Sequence, residues 1–507
     1  MKEKHFLLSS IGERTTIACS HDPNPVINHL QSTPCRREFF SWVNTGLAGA
    51  ALAVLLREDR PLHAASVSGV SEDLLPHFPA VAKRVVHIVL SGGLSHVDSF
   101  DYKPKLTRHH GQSISDTEGL EVFFGKVGLL RQSDWEFRRC GDSGLWISNL
   151  FPHLSRAADE LTVIRSMVAE TPNHMPATFQ QNTGFPIGGF PVLGSWISYG
   201  LGSESDELPA YVVIPDVRGL AAGGSANWTN GFLPAQHQGV PIRSRGIPID
   251  DLAPGRPIPA ASEQASREYL ATLNEKHLAA RADSDPLAAR IHSYELAAKM
   301  QLAVPLVANL EQESAATHQL YGLNHADTED FGRSCLLARR LLERGVRFVQ
   351  IISGGAFGTP RINWDGHEDN QRNHSREAIR VDKPMAGLIM DLRRRGMLDD
   401  TLVLCTTEFG RTPFTQSDKD VLGKGRDHNQ YAFSVWMAGA GLQRGLAYGV
   451  TDELGLKAVE NPVPWSDFHA TVLHLLGIDH MRLTFYHNGI RRRITNVGGN
   501  VIGGILI

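Results

Sequence analysis

The sequence predicts an α/β protein whose central, mostly parallel sheet is sandwiched between helices. Two observations carry that prediction. Short apolar, β-rich runs alternate with longer segments of helical periodicity along most of the chain, and this order favours parallel strands joined by crossover helices. Several runs also end in glycine-rich or polar turns, at Ser91-Gly92-Gly93, Ser353-Gly354-Gly355 and Thr407-Glu408. In such sheets ligands gather outside the carboxyl ends of the strands. Turns of one kind after several strands imply one shared site and one large domain, although 507 residues would by length alone suggest about three.

The chain opens on a segment of a different kind. Arg36-Arg37 precedes Phe39-Phe40 and an apolar run from Val43 to Leu56 rich in alanine and glycine. That run is shorter than the roughly 20 residues of a membrane span, and Ala64-Ala65 offers a cleavage point. The pattern is that of a twin-arginine export signal, with a buried helix or an uncleaved anchor as the plain alternative. Residues 1–65 are therefore expected to be a signal region and 66–507 a single domain. The protein is expected to be periplasmic or otherwise exported, meeting the membrane only during export. Cys19 and Cys35 fall in the signal region, leaving Cys140, Cys335 and Cys405. An odd number without CxxC spacing implies no disulfide framework.

Arg84–Leu90 reads as the first central strand. Leu161–Arg165 and Ala210–Pro215 are further strands, and residues 216–262, rich in Gly, Pro and Ala, read as surface loops. Ser262–Arg281 and Leu287–Ser314 have helical periodicity, with a kink expected at Pro305. A helix over Asp327–Arg344 leads into a buried strand, Val346–Ile352. Ser375–Arg395 reads as a helix with a break or kink near Pro384, Thr401–Thr406 and Phe433–Ala438 as strands, and His469–Leu476 as a short helix. A formal net charge of −4 without a long basic stretch excludes nucleic acid as a partner. It leaves room for a small anionic substrate held by local arginines.

The chemistry concentrates in a few clusters. His96 and Asp98 follow the first strand and its glycine turn; both are metal-ligand types, while a turn with capping Asp and Ser is the ordinary alternative. His174 stands at the entry of a helix signalled by Pro176 and closed by Thr183-Gly184, where backbone amides favour anions. Asp365 and His367 form an Asp-x-His pair in a loop. Glu408 and Arg411 follow the Thr401–Thr406 strand, and Arg426, Asp427 and His428 follow a glycine-bearing loop. Carboxylate and imidazole ligands suit zinc, manganese or iron, and arginine grips two oxygens of a sulfate or phosphate at once.

Three stretches then resemble the bacterial domain-of-unknown-function family 1501, within the alkaline phosphatase and sulfatase superfamily. They are Ser91–Asp101, Thr407-Glu408-Phe409-Gly410-Arg411-Thr412-Pro413 and Gly425-Arg426-Asp427-His428-Asn429; Asp467–Ile478 also looks like the C-terminal helix of sulfatases, and the likeness covers roughly residues 80–505. The resemblance implies an alkaline-phosphatase-like fold and metal-assisted attack on phosphorus or sulfur. It implies that Asp365, His367 and His428 bind one metal, with Glu408 at the position of a further ligand. Phe409 replaces the histidine that usually follows Glu408, and Gly92 or Gly93 stands where the first strand delivers an Asp. His174, ten residues before Gly184, takes the place of the usual nucleophile.

The expectation is an exported hydrolase of sulfate or phosphate esters using one or two divalent transition ions, zinc, manganese or iron. Its ligands are drawn from Asp365, His367, His428, Glu408, His96 and Asp98. His174 would act as nucleophile or general base, and Arg411 and Arg426 would hold the anionic oxygens. The ligand would be a small anionic ester or a sulfated glycan. The alternative is a non-catalytic scaffold that binds a polyanionic glycan or a protein.

Overall fold

The structure is a computed structural model and describes residues 76–507 apart from 115–121, 251, 253–257, 282–284 and 356–360. The expected signal region, with Arg36-Arg37, Cys19 and Cys35, lies outside the described residues. Gly69–Ile507 forms one compact unit.

A nine-stranded sheet runs through that unit. Its strands are β1 (Arg84–Leu90), β2 (Leu161–Val168), β3 (Tyr211–Ile214), β4 (Val240–Pro241), β5 (Phe348–Ser353), β6 (Thr401–Thr406), β7 (Phe433–Gly439), β8 (Leu446–Tyr448) and β9 (Val463–Pro464). The order is β8-β2-β7-β6-β1-β5-β3-β4, with β9 also pairing β2. β1 lies at the centre, parallel to β5 and β6, with Val85 opposite both Phe348 and Leu402. β7 alone in this sheet runs antiparallel to both neighbours, β2 and β6.

Successive side chains of a strand point to opposite faces, so each central strand feeds two cores. Val86, Ile88 and Leu90 join Val349, Ile351, Val403 and Cys405 on one face. Val85, Phe348, Ile352, Leu402 and Leu404 pack on the other. The first face is covered by helices α3 (Ala326–Glu343) and α4 (Asn370–Arg394), the second by α1 (His174–Thr183), α2 (Leu193–Leu201) and α5 (Trp465–Leu475). At about 1.5–3 kcal/mol for each fully buried Val, Leu or Ile, these two layers hold the strand ends that carry the site.

Differences from the sequence reading have local causes. α4 is continuous for 25 residues through Pro384. Burial of Val381, Met385, Leu388 and Ile389 outweighs the roughly 3 kcal/mol that an interior proline costs. The 24-residue helix Asp285–Ala308 likewise contains Pro305. Within 216–262, Trp228, Leu233 and Ile242 are buried, and β4 extends the sheet beside β3, so this stretch supplies core as well as loop. The final helix begins at Trp465 rather than His469. The segments holding Arg411 and His428 are strands: Gly410–Thr415 pairs antiparallel with Arg426–Asn429, and His428 lies opposite Arg411 across an irregularity.

Candidate metal centre

The site assembles at the carboxyl ends of β1 and β6. Gly92 has φ +118°, and a Cβ there would stand 2.5 Å from the Trp364 nitrogen and 2.7 Å from that of Asp365. Only glycine lets the loop bearing Asp365 and His367 come this close. Trp364 N–H then donates to the Ser91 carbonyl at 2.9 Å. Glu408, just past β6, accepts the Gly92 N–H at 2.8 and 3.1 Å. His174 is the first residue of α1, whose N-cap Asn173 accepts from Met175 N–H at 3.3 Å. His428 comes from the buried hairpin. Gly425 packs on His367 so closely that a Cβ would overlap the His367 carbonyl, at 1.5 Å.

These elements converge four ligand atoms, from His174, Asp365, His367 and His428, all within 4.8 Å of one another. Asp365 Oδ1 lies 2.7 Å from His367 Nε2, 3.3 Å from His174 Nε2 and 3.4 Å from His428 Nε2. His367 Nε2 and His428 Nε2 are 2.9 Å apart. The far side of each ring meets an oxygen acceptor. His174 Nδ1 lies 2.7 Å from Glu408 Oε1, His428 Nδ1 lies 2.5 Å from the Pro172 carbonyl, and His367 Nδ1 bonds Gln416 Oε1. An acceptor beside each Nδ1 draws the ring proton there. The Nε2 lone pairs therefore face a common centre, an arrangement that repels itself unless a cation or extra protons intervene.

The electrostatics agree. Burial alone would raise the Asp365 carboxyl, but the Arg411 charge and the three imidazoles hold it far below the usual carboxylate range. Burial drives His428 well below the ordinary histidine value, against the pull of Asp365 and with help from Arg411. Burial also opposes the charge on His174, yet its bonds to Asp365 and Glu408 outweigh that and raise its pKa. The donor set fits one divalent transition ion: three imidazole nitrogens and one carboxylate oxygen, with a second set of oxygens fixing the ring orientations.

The other expected residues take different places. Glu408 is outside the cluster and holds His174. His96 Nε2 bonds the Gly455 carbonyl at 2.7 Å, and Asp98 pairs with Arg426 Nε at 2.9 Å, so neither enters the four-ligand set. Arg411 is fully buried, donating to Gly93 O at 2.9 Å, Arg426 O at 3.3 Å and Asp365 Oδ1 at 2.8 Å, and also to Gly92 O. Arg426 is equally buried and donates to Thr412 O, Arg131 O and Gln132 O at 3.0–3.1 Å. Both are internal braces, because their N–H groups are spent on carbonyls and carboxylates. Phe409 packs its ring on His428 at 4.4 Å and on His174 at 4.8 Å, an apolar wall on one side of the cluster.

Sequence reasoning missed Gln416, the Pro172 carbonyl, Arg361, Phe123 and Phe124. Arg361 Nη1 pairs with Asp365 Oδ2, and its only signal was its place four residues before Asp365. The phenylalanines carry no chemical signature in a sequence.

The chain belongs to the family described as "Protein of unknown function (DUF1501)", which matches residues 82–506. No curated protein matches it. Among solved structures it is similar to the lipoteichoic acid synthase LtaP from Listeria monocytogenes, at 11% identity and a TM-score of 0.38 over 83% of this chain and 77% of that one. It is also similar to PsFucS1 sulfatase from Pseudoalteromonas sp., at 13% identity and 0.32 over 81% and 74%. The alkaline phosphatase from the Antarctic bacterium TAB5 gives 10% identity and 0.31 over 73% and 94%. At these values the likeness is one of coarse fold.

Proposed function

We propose that the protein is an exported, metal-dependent hydrolase of sulfate or phosphate esters that works with one divalent transition ion, zinc, manganese or iron. The observation that supports this is the trio of imidazoles, each tied at Nδ1 to an oxygen acceptor, whose Nε2 atoms converge on Asp365. A bound ion would supply a Lewis acid to polarise an ester oxygen and make water more acidic. The chain's own residues set the stage. Glu408 keeps the His174 proton on Nδ1 and strengthens Nε2 as a donor. Arg411 keeps Asp365 ionised, and Phe409 keeps water off one side of His174 and His428. His174 is read as a ligand here, in place of a nucleophile, because Glu408 holds its Nδ1 while its Nε2 stands with those of His367 and His428 around Asp365. The set favours one ion, since Phe409 offers no donor where a second would need one.

Protein purified without chelator should carry roughly one ion per chain, released by chelator and absent from His428→Ala. Glu408→Gln should weaken metal affinity about 10- to 100-fold, the usual effect of losing such an outer partner. The loaded protein should hydrolyse at least one member of a panel of aryl sulfates, phosphate monoesters and diesters, and sulfated glycans. Metal that persists in Asp365→Ala with His428→Ala would dismiss the site. A loaded protein inert on the whole panel would leave the glycan-binding scaffold as the better reading. For export, replacing Arg36 and Arg37 by lysine should hold the precursor in the cytoplasm.

A further inference from the structure

Around the mouth of the cluster stand groups that the metal does not need. Phe123 stacks on His428, ring centres 4.6 Å apart and planes 28° apart, on a ring that also packs against Phe409. Phe124 meets His367 edge-on at 4.9 Å and Phe123 at 4.8 Å. Its N–H is held by Asp427 Oδ2 at 2.9 Å. Yet Phe123 is 40% and Phe124 51% exposed, so two large apolar rings face solvent directly over buried polar ligands.

Arg361 stands beside Asp365 and differs from the buried braces. Its side chain is 26% exposed. Nε and Nη2 grip the two oxygens of Glu368 at 2.7 and 2.8 Å. The Glu368 side chain is itself 69% exposed. A two-pronged grip on a carboxylate is the same geometry that takes two oxygens of a sulfate or phosphate. An ion pair with so exposed a partner is worth little, so Glu368 is readily displaced by a better anion.

We propose that Arg361, Phe123 and Phe124 form the substrate-binding wall of the metal site, Arg361 seating the anionic oxygens and the two phenyl rings taking a flat ring of the esterified alcohol. This rests on the ester-hydrolase reading and narrows it to anionic esters of aryl or pyranose alcohols, with small alkyl esters disfavoured. Both rings and guanidinium lie within reach of the cluster, as one ligand bound at both ends requires. Stacking on an aromatic face is the interaction that separates a ring from an alkyl group of equal charge.

The test is binding without turnover. The full chain, zinc-loaded, is titrated calorimetrically with phenylphosphonate and methylphosphonate, whose P–C bonds are not ester bonds. The wild type should bind the phenyl compound about tenfold more tightly. Phe123→Ala with Phe124→Ala should abolish that preference, leaving the two phosphonates with equal affinity. Phe123→Leu with Phe124→Leu, which keeps an apolar cover, should lose most of it. Arg361→Ala should weaken both ligands about equally, by tenfold or more, and Glu368→Gln should tighten both severalfold by freeing the fork. Competition by a monosaccharide sulfate against phenylphosphonate separates a sugar ring from an aryl ring, and either meets the proposal. Equal affinities in the wild type, a preference that survives both double variants, no binding of either phosphonate, or indifference to Arg361→Ala would each overturn it. Zinc content is checked for every variant, so a misfolded protein is recognised. An ester panel that fails while the phenyl preference holds defeats the hydrolase reading alone. Turnover without ring preference defeats only the wall.

Discussion

Asp365 and Asp98 are both buried, both belong to loops that meet at the carboxyl end of the sheet, and both have an arginine and a histidine near by. What differs is the supply of protons. Asp98 receives one from Ser95 Oγ at 2.5 Å, one from Arg426 Nε at 2.9 Å and one from Asn370 Nδ2 at 3.0 Å. Burial would raise its pKa, but the Arg426 charge and the bonds from Ser95 and Arg426 lower it. Asp365 receives Arg411 and Arg361, but three imidazole Nε2 atoms also crowd one of its oxygens, two of them 2.9 Å apart. A buried carboxylate whose donors are complete is structure, and one ringed by imidazole nitrogens that crowd one another is a place for a cation. Residue type alone does not distinguish them.

The largest effect that would sharpen this contrast is on the complete side. Arg426→Met leaves the Asp98 charge buried with only neutral donors, and breaking such a pair costs about 3–5 kcal/mol. Denaturant unfolding should show that loss while the remaining folded protein keeps its metal. Loss of metal with unchanged stability would reverse the roles assigned to the two carboxylates.

Next comes the response to zinc. Binding to the folded state alone adds about 2.7 kcal/mol of stability at a hundred times the dissociation constant. Thermal or denaturant melts of the wild type should gain an increment of that order. Asp365→Asn and His428→Ala should abolish it, and His96→Gln and Asp98→Asn should retain it even if their baseline stability falls. Retention in His428→Ala would show that the ion sits elsewhere.

The sequence made the sheet legible because β1, β5 and β6 are unbroken β-rich runs that end at glycine or polar turns, and burial on both faces produces that signature. The Gly410–Thr415 and Arg426–Asn429 strands were hidden for the opposite reason. They are entirely buried yet rich in Arg, Thr, Asp, His and Asn, so no apolar alternation marks them; internal ion pairs and carbonyl contacts pay for their burial. Asp365, His367 and His428 stood out as candidate ligands, as an Asp-x-His pair and through the family resemblance, and the structure brings their ligand atoms together. His174 was singled out as nucleophile or general base; its place among the ligand atoms depends on Glu408 and on the cap of α1, which no local pattern reveals. His96 and Asp98 looked equivalent to the four-residue cluster because Arg426 and Asn370, which complete Asp98, lie hundreds of residues away in sequence.

A third class of buried histidine bounds the comparison. His87 Nε2 lies 2.8 Å from Thr406 Oγ1 and His469 Nε2 lies 2.9 Å from the Gln181 carbonyl, both beneath α1. Burial, then the neighbouring His469, lowers His87 to about 3, and burial lowers His469 to about 4 despite its carbonyl partner. Their folded pKa values lie below the unfolded value near 6.5, so above pH 6.5 they cost nothing. As pH falls below that, the unfolded chain gains protons that the fold refuses, and stability drains away until pH reaches about 3–4. At pH 5 each should cost about 2 kcal/mol. Unfolding at pH 7 and pH 5 should show this loss with chelator present, and His469→Gln should reduce the difference. A loss that appears only in metal-loaded protein would instead assign the acid response to the cluster.

The smallest effect tests how the helix presents His174. Asn173 caps α1 through Met175 N–H, and His174 is the first residue after the cap. Asn173→Ala should cost about 1 kcal/mol of stability, and Asn173→Ser, which restores a capping oxygen, should recover most of it. The cap also fixes where His174 leaves the backbone, with Glu408 steering the ring from its far side. Zinc affinity should therefore fall in Asn173→Ala by less than in Glu408→Gln, because the Nδ1 bond survives the loss of the cap. Equal falls in the two variants would mean that the helix start, rather than the carboxylate, sets the ligand. An unchanged affinity in Asn173→Ala together with the stability loss would place the whole orientation in Glu408, making His174 the one ligand held chiefly from beyond its own helix.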